Sequence, residues 1–169
     1  MHAILATNTV MRANHSRAQT PALLKGLIFG PGGHAMTPSH TRKAGKLYRY
    51  YTSTDAIRNG YSECAVRSVP AAEVEEAVVA QVRHLLRTPE VIARIWAAAK
   101  PESDVPEREV VEMITAFAPL WDELFPAELA RIVRLLVERV DLSSNGIEVR
   151  LRAEGLQTLV EELRRRDAA

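Results

Sequence analysis

Near position 70 the apolar residues change their spacing, which divides the chain into two kinds of structure. From Pro70 onward they recur at the period of a helix. Positions 74, 77, 78, 81, 82 and 85 share one face of a first helix, and Glu73, Glu75 and Glu76 lie in its opening turns, where carboxylates suit the helix dipole. Thr88 and Pro89 are the cap and first position of a second helix with Val91, Ile92, Ile95 and Trp96 on its apolar face. After a linker at 100–104, Val110, Val111, Ile114 and Phe117 mark a third helix that ends at Pro119, and Pro126 opens a fourth with Leu129, Ile132, Val133, Leu136 and Val137. Val140 and Leu142, then Ile147, Val149 and Leu151, alternate with polar residues around Asn145-Gly146, which predicts a hairpin over 140–151. Leu156, Leu159, Val160 and Leu163 give a last helix.

Before residue 70 the pattern is short and broken. His2 to Leu5 reads as the last turn of a helix begun upstream, and Met11–Ala18 as a linker closed by Pro21. The run Leu23, Leu24, Leu27, Ile28, Phe29 stops at the turn Gly30-Pro31-Gly32-Gly33. A short strand is expected over 34–37, a loop over 38–45, an aromatic strand over 46–51, a turn at Asn59-Gly60 and a final strand over 66–69. So few large apolar residues make a weak core, and small units of this kind need a metal, a disulfide or a neighbour.

Charge sharpens the division. Residues 1–70 carry nine Lys or Arg against two acids, and residues 71–169 carry 13 against 19, so a net charge of +1 conceals a basic half and an acidic half. A basic half suits a polyanion. The apolar stretch Ala3-Ile4-Leu5-Ala6 is too short for a signal-peptide core, and there is no apolar run long enough to span a membrane. Cys64, alone, forms no internal disulfide, and a reducing, cytoplasmic setting follows.

Of the chemistries weighed, nucleic-acid binding has the most support. There is no nucleophile elbow, and the glycines at 30–33 match neither phosphate-binding pattern. His34 and His40 have no partner at metal-ligand spacing, so neither metal nor cofactor is expected. By contrast, His40-Thr41-Arg42-Lys43-Ala44-Gly45-Lys46 leads into Tyr48-Arg49-Tyr50-Tyr51. Its cations can neutralise phosphates and its hydroxyls can donate to them. On charge alone a solvated hairpin loop explains the same residues equally well.

Five segments together resemble a known family. They are Pro21-Ala22-Leu23-Leu24-Lys25-Gly26-Leu27-Ile28-Phe29, Ala35-Met36-Thr37-Pro38-Ser39-His40-Thr41-Arg42-Lys43, Tyr48-Arg49-Tyr50-Tyr51, Cys64-Ala65-Val66-Arg67 and Val69-Pro70-Ala71-Ala72-Glu73-Val74-Glu75. In order and spacing they are similar to the zinc β-ribbon region of large serine site-specific recombinases, and Leu136–Val140 with Gly146–Arg152 resembles that family's closing hairpin. The resemblance implies four metal-binding cysteines at positions 29, 32, 53 and 64, of which only Cys64 is a cysteine here, so the chain resembles a metal-free branch in which Phe29 fills the ligand site by apolar packing. The family's catalytic serine and arginines lie in an N-terminal resolvase-type domain outside the resemblance, so no catalytic role carries over.

The expectation is therefore an α+β chain: the end of an upstream domain over 1–20, a β-ribbon over 21–69, and a helical region of about five helices with a late hairpin over 70–169. By that resemblance it contacts double-stranded DNA through His40, Thr41, Arg42, Lys43, Lys46 and Arg49, with Arg12, Arg17 and Lys25 tracking the backbone, as the DNA-binding part of a recombination and integration system from a mobile element. The alternatives are a partner-binding module using Trp96, Phe117, Leu120, Trp121 and Leu136, pairing with itself or with a full-length recombinase, and a remnant without function.

Overall fold

The computed structural model of the chain describes residues 22–60, 64–99 and 104–168. In order its elements are β1 (Ile28–Phe29), a 3₁₀ turn (Pro31–Gly33), β2 (Met36–Lys43), β3 (Lys46–Ser53), α1 (Thr54–Asn59), β4 (Ser68–Pro70), α2 (Ala71–Leu86), α3 (Pro89–Ala99), α4 (Glu107–Phe117), a 3₁₀ segment (Ala118–Glu123), α5 (Pro126–Leu136), β5 (Val137–Ser143), β6 (Gly146–Leu151) and α6 (Ala153–Asp167). This is the α+β arrangement the sequence implies. Among the described residues no helix is long and apolar enough to cross a membrane.

The described residues form two three-stranded sheets. In one, β3 lies between β2 and β4, all antiparallel. In the other, β5 lies between β6, antiparallel, and β1, parallel. β1 comes from the predicted ribbon and β5 from the predicted C-terminal region. Their buried side chains form one continuous core, in which Leu24, Ile28, Met36 and Tyr51 join Val74, Val78 and Val82 of α2 and Val137 and Val140 of β5. Burying each large aliphatic side chain contributes about 1.5–3 kcal/mol, so sharing a core supplies the neighbour that the apolar-poor ribbon needs.

The helices follow the spacing that predicts them, with corrections at their ends. Val74, Val78, Val82 and Leu86 are the buried stripe of α2, whereas Ala77 and Gln81 are exposed. The Thr88 hydroxyl does not cap α3; it donates back to His84 O at 3.0 Å, closing the preceding helix. Pro119 lies in the 3₁₀ segment after α4, and Glu128 accepts the Phe125 N–H at 3.0 Å in front of α5. α6 crosses α5 at Gly155, where a Cβ would stand 2.0 Å from the Leu135 carbonyl oxygen. Trp96, Phe117, Trp121 and Leu136, proposed from the sequence for partner contact, are core residues at 5% exposure or less.

The ribbon departs further from expectation. The segment expected as a loop over 38–45 is most of β2, which runs from 36 to 43 instead of 34 to 37. Pro38 and the polar residues hide the strand because its apolar alternation is missing, and pairing along the whole of β3 supplies what propensity does not. Gly30-Pro31-Gly32-Gly33 does form the expected β-turn: Gly33 N–H donates to Gly30 O at 3.1 Å, and Gly32 at φ +77° and ψ 4° takes the glycine position of a type II turn. α1 is a short helix that the sequence reading missed; Ser53 caps it and Gly60 ends it at φ +97°. β4 covers 68–70 rather than 66–69, and the late hairpin starts at 137 and turns at 144–145, one residue before Asn145-Gly146.

The crossing at Gly155 yields a direct prediction. Gly155→Ala must push apart two backbones and should cost about 1–3 kcal/mol or more. Urea unfolding of the variant measures this, and an unchanged midpoint would show that α5 and α6 do not approach so closely.

Candidate nucleic-acid interface

β2 and β3 form an eight-residue antiparallel arm in unbroken register from Met36↔Ser53 to Lys43↔Lys46. Its turn is Ala44-Gly45, at φ +50° and +76°, the left-handed geometry of a two-residue hairpin loop that follows the strand twist. Because side chains alternate across a strand, the register separates the basic residues onto two faces. Thr37, Ser39, Thr41 and Lys43 share one face with Thr52, Tyr50, Tyr48 and Lys46. Met36, Pro38, His40 and Arg42 share the other with Ser53, Tyr51, Arg49 and Leu47.

The second face turns inward at its base, where Met36, Tyr51 and Ser53 are buried. The first carries a ladder of hydroxyls: Ser39 Oγ lies 2.7 Å from Thr52 Oγ1, which lies 3.3 Å from Ser68 Oγ of β4. Toward the tip both faces open to solvent. His40, Thr41, Arg42, Lys43 and Lys46 are all exposed, and so are Leu47 and Tyr48 at 38% and 43%. Lys43 and Lys46 stand directly opposite each other, a like-charge pair that costs the isolated arm stability.

Arg49 has a different place from the other predicted residues. Its guanidinium lies 3.3 Å from Glu75 on α2. The same carboxylate accepts the Tyr51 hydroxyl at 2.7 Å and the Leu23 N–H at 3.0 Å, and the Tyr51 oxygen accepts the Leu24 N–H at 2.9 Å. This node joins β3, α2 and the segment before β1, and it holds the chain next to exposed Lys25. Sequence reading assigned Glu75 only to the helix dipole, because nothing local distinguishes it from Glu73 and Glu76. Arg12 and Arg17 lie outside the described residues.

Metal-ligand chemistry does not fit the positions the resemblance implies. Phe29 and Gly32 offer no ligand atom, Ser53 Oγ accepts the Ala56 N–H at 3.4 Å, and the Cys64 thiol donates to Val66 O at 3.2 Å. Among the described residues no group of three His, Cys, Asp or Glu side chains could hold a metal ion. Nor is Phe29 simply apolar filling: it is half-buried, and the Arg139 guanidinium lies over its ring at 3.8 Å.

Burial first, then the hydrogen bond to Glu75, raises the Tyr51 phenol far above its ordinary value, although the Leu24 N–H pulls the other way. The phenol is neutral when folded but ionises near pH 10 when unfolded. The stability it contributes is therefore complete below about pH 10 and falls as pH rises further. Thermal unfolding from pH 8 to 11 should show this loss, and Tyr51→Phe should flatten it; an identical alkaline slope in the variant would exclude Tyr51 as its source.

Three comparisons with known proteins bear on this arrangement. Residues 23–83 match the recombinase zinc beta ribbon domain family. No curated protein matches the chain. Among solved structures, one described as an LSR–DNA complex is 13% identical, with a TM-score of 0.44 over 77% of this chain and 55% of that one. Another, from work on the sequence requirements of the Listeria innocua prophage attP site, is 14% identical, with a TM-score of 0.46 over 82% of this chain and 46% of that one. The chain thus spans about half the length of these two solved chains. Residues 23–83 are thus similar to the recombinase zinc beta ribbon domain, in agreement with the resemblance to large serine recombinases read from the sequence over that segment.

Proposed function

We propose that the chain binds double-stranded DNA through the β2–β3 arm, as the DNA-contacting C-terminal part of a serine site-specific recombinase. The observation that carries this reading is the opposed, exposed pair Lys43 and Lys46 at the end of a hydroxyl-lined face. Like charges held together weaken an arm in isolation, and a polyanion turns that cost into attraction. The family match over 23–83 and the basic excess of the first 70 residues support the same reading.

The contact set is divided by face. Thr41, Lys43, Lys46 and Tyr48 meet the phosphate backbone together, with Ser39 and Tyr50 as further hydroxyl donors. His40 and Arg42 lie on the opposite face near the tip, so they reach DNA only where the arm enters a groove; the B-DNA major groove admits a two-stranded ribbon. Arg49 acts through Glu75 and positions the arm. The reading assigns binding only; cleavage and strand exchange belong to the family's resolvase-type domain, and no residue of 22–168 is given a part in them.

Fluorescence anisotropy with random-sequence duplex, as salt is raised, tests the proposal. Binding should be micromolar or better at low salt, with log K falling linearly against log salt by about 0.9 per phosphate neutralised. Replacing Lys43 and Lys46 together by Ala should reduce that slope by about 2 while leaving the fold intact. No binding at low salt, or an unchanged slope in the double variant, would contradict the assignment.

A further inference from the structure

A four-cysteine ribbon is held by a metal ion that ties two turns together; here positions 29, 32 and 53 are Phe, Gly and Ser, and no donor set for such an ion exists among the described residues. The chain nevertheless brings the same turns together by other means. At the first, Gly30 N–H donates to His34 O at 2.8 Å, Gly33 N–H donates to Gly30 O at 3.1 Å, and Phe29 bridges to Ala35. The second begins at Ser53-Thr54. Thr54 donates both its N–H, at 3.0 Å, and its hydroxyl, at 2.8 Å, to the Ala35 carbonyl of the first.

From outside the ribbon comes Arg139 of β5. Its guanidinium covers the Phe29 ring at 3.8 Å, and a Cβ on Gly33 would lie 3.7 Å from its terminal nitrogen. The group therefore sits between the ring at position 29 and the turn that contains position 32. Asp141 fixes it, accepting from Arg139 Nε at 2.8 Å, and Arg150 approaches the other carboxylate oxygen at 3.5 Å. The backbones pair beneath it: Phe29 is in register with Asp141, and Val140 N–H donates to Leu27 O at 2.8 Å.

We propose that Arg139, stacked on Phe29 and held by Asp141, takes over part of the metal's task in this chain: it holds the first turn of the ribbon against the C-terminal hairpin, while Thr54 ties the second turn to the first. The ribbon is thereby closed by the C-terminal hairpin, folds without zinc, and depends on residues more than a hundred positions downstream. A planar cation over an aromatic ring suits this task, because the stack is attractive and its geometry is fixed by the in-plane bond to Asp141. This inference stands whether or not the arm binds DNA.

The test is a double-mutant cycle on the full chain, combined with metal removal and addition. Excess chelator, or one equivalent of zinc, should move the melting temperature by less than about 1 °C, whereas Arg139→Ala should lower it by about 2–6 °C, the range for losing a cation–aromatic contact in a chain of this size. Phe29→Leu should lower it by a similar amount, and the double variant should fall little below the lower of the two singles. Hydrogen exchange at the amides of residues 28–36 should quicken about tenfold in Arg139→Ala, ahead of the α2–α6 region. If that variant fails to fold, Arg139→Lys, which keeps the charge but loses the plane, serves instead and should still lower the melting temperature. Fully additive losses, wild-type stability in Arg139→Lys, or a chelator-induced collapse of the wild type with zinc found at one equivalent would each overturn the proposal.

Discussion

Ile28 and Phe29 pair in parallel with Val140 and Asp141, and most of what distinguishes this chain depends on that short contact. Two residues of strand are too few to be stable by themselves. They persist because Leu24 and Ile28 are fully buried beside Val137 and Val140, and because Arg139 covers the ring of Phe29. The ribbon thus has no separate core. Its apolar side chains enter the one made by α2, β5 and the later helices, as expected of a unit too poor in large aliphatic residues to fold alone.

The Glu75 node is the second constraint, and it sets the direction of the arm. One carboxylate gathers the Tyr51 hydroxyl, the Arg49 guanidinium and the Leu23 N–H. Tyr51, fully buried, is the last inward-facing residue of β3 before the arm opens to solvent. A polar cluster of this kind adds less net energy than the apolar burial around it, but each bond demands a particular geometry, so it fixes one orientation of β3 against α2. A cationic tip is useful for recognition only if it is presented at a fixed angle to the body.

The sequence made some of this legible and concealed the rest for physical reasons. The helices from 71 onward could be read because Val74, Val78 and Val82, or Leu156, Leu159 and Val160, bury one face and leave a periodic trace. The late hairpin could be read from alternation, though its turn lies one residue earlier than Asn145-Gly146 implies. β2 could not be read, since a solvated arm has no buried face to impose alternation, and Pro38 argues against a strand. The basic cluster was visible as composition, but its division into two faces is a matter of register, which a loop assignment cannot supply. Arg49 with Glu75 and Arg139 with Phe29 join residues far apart in sequence, and neither pair leaves a local pattern.

In this account the acidic helical half is a platform: it carries the ribbon and helps to close it through β5. The proposed DNA contact is concentrated in a few residues around Lys43 and Lys46. An amide-resolved NMR titration of the chain with a short duplex tests that claim most directly. The account predicts that the largest shifts fall between Thr41 and Tyr48, with α4, α5 and α6 unmoved. Shifts centred on α4 to α6, with the arm unaffected, would contradict it.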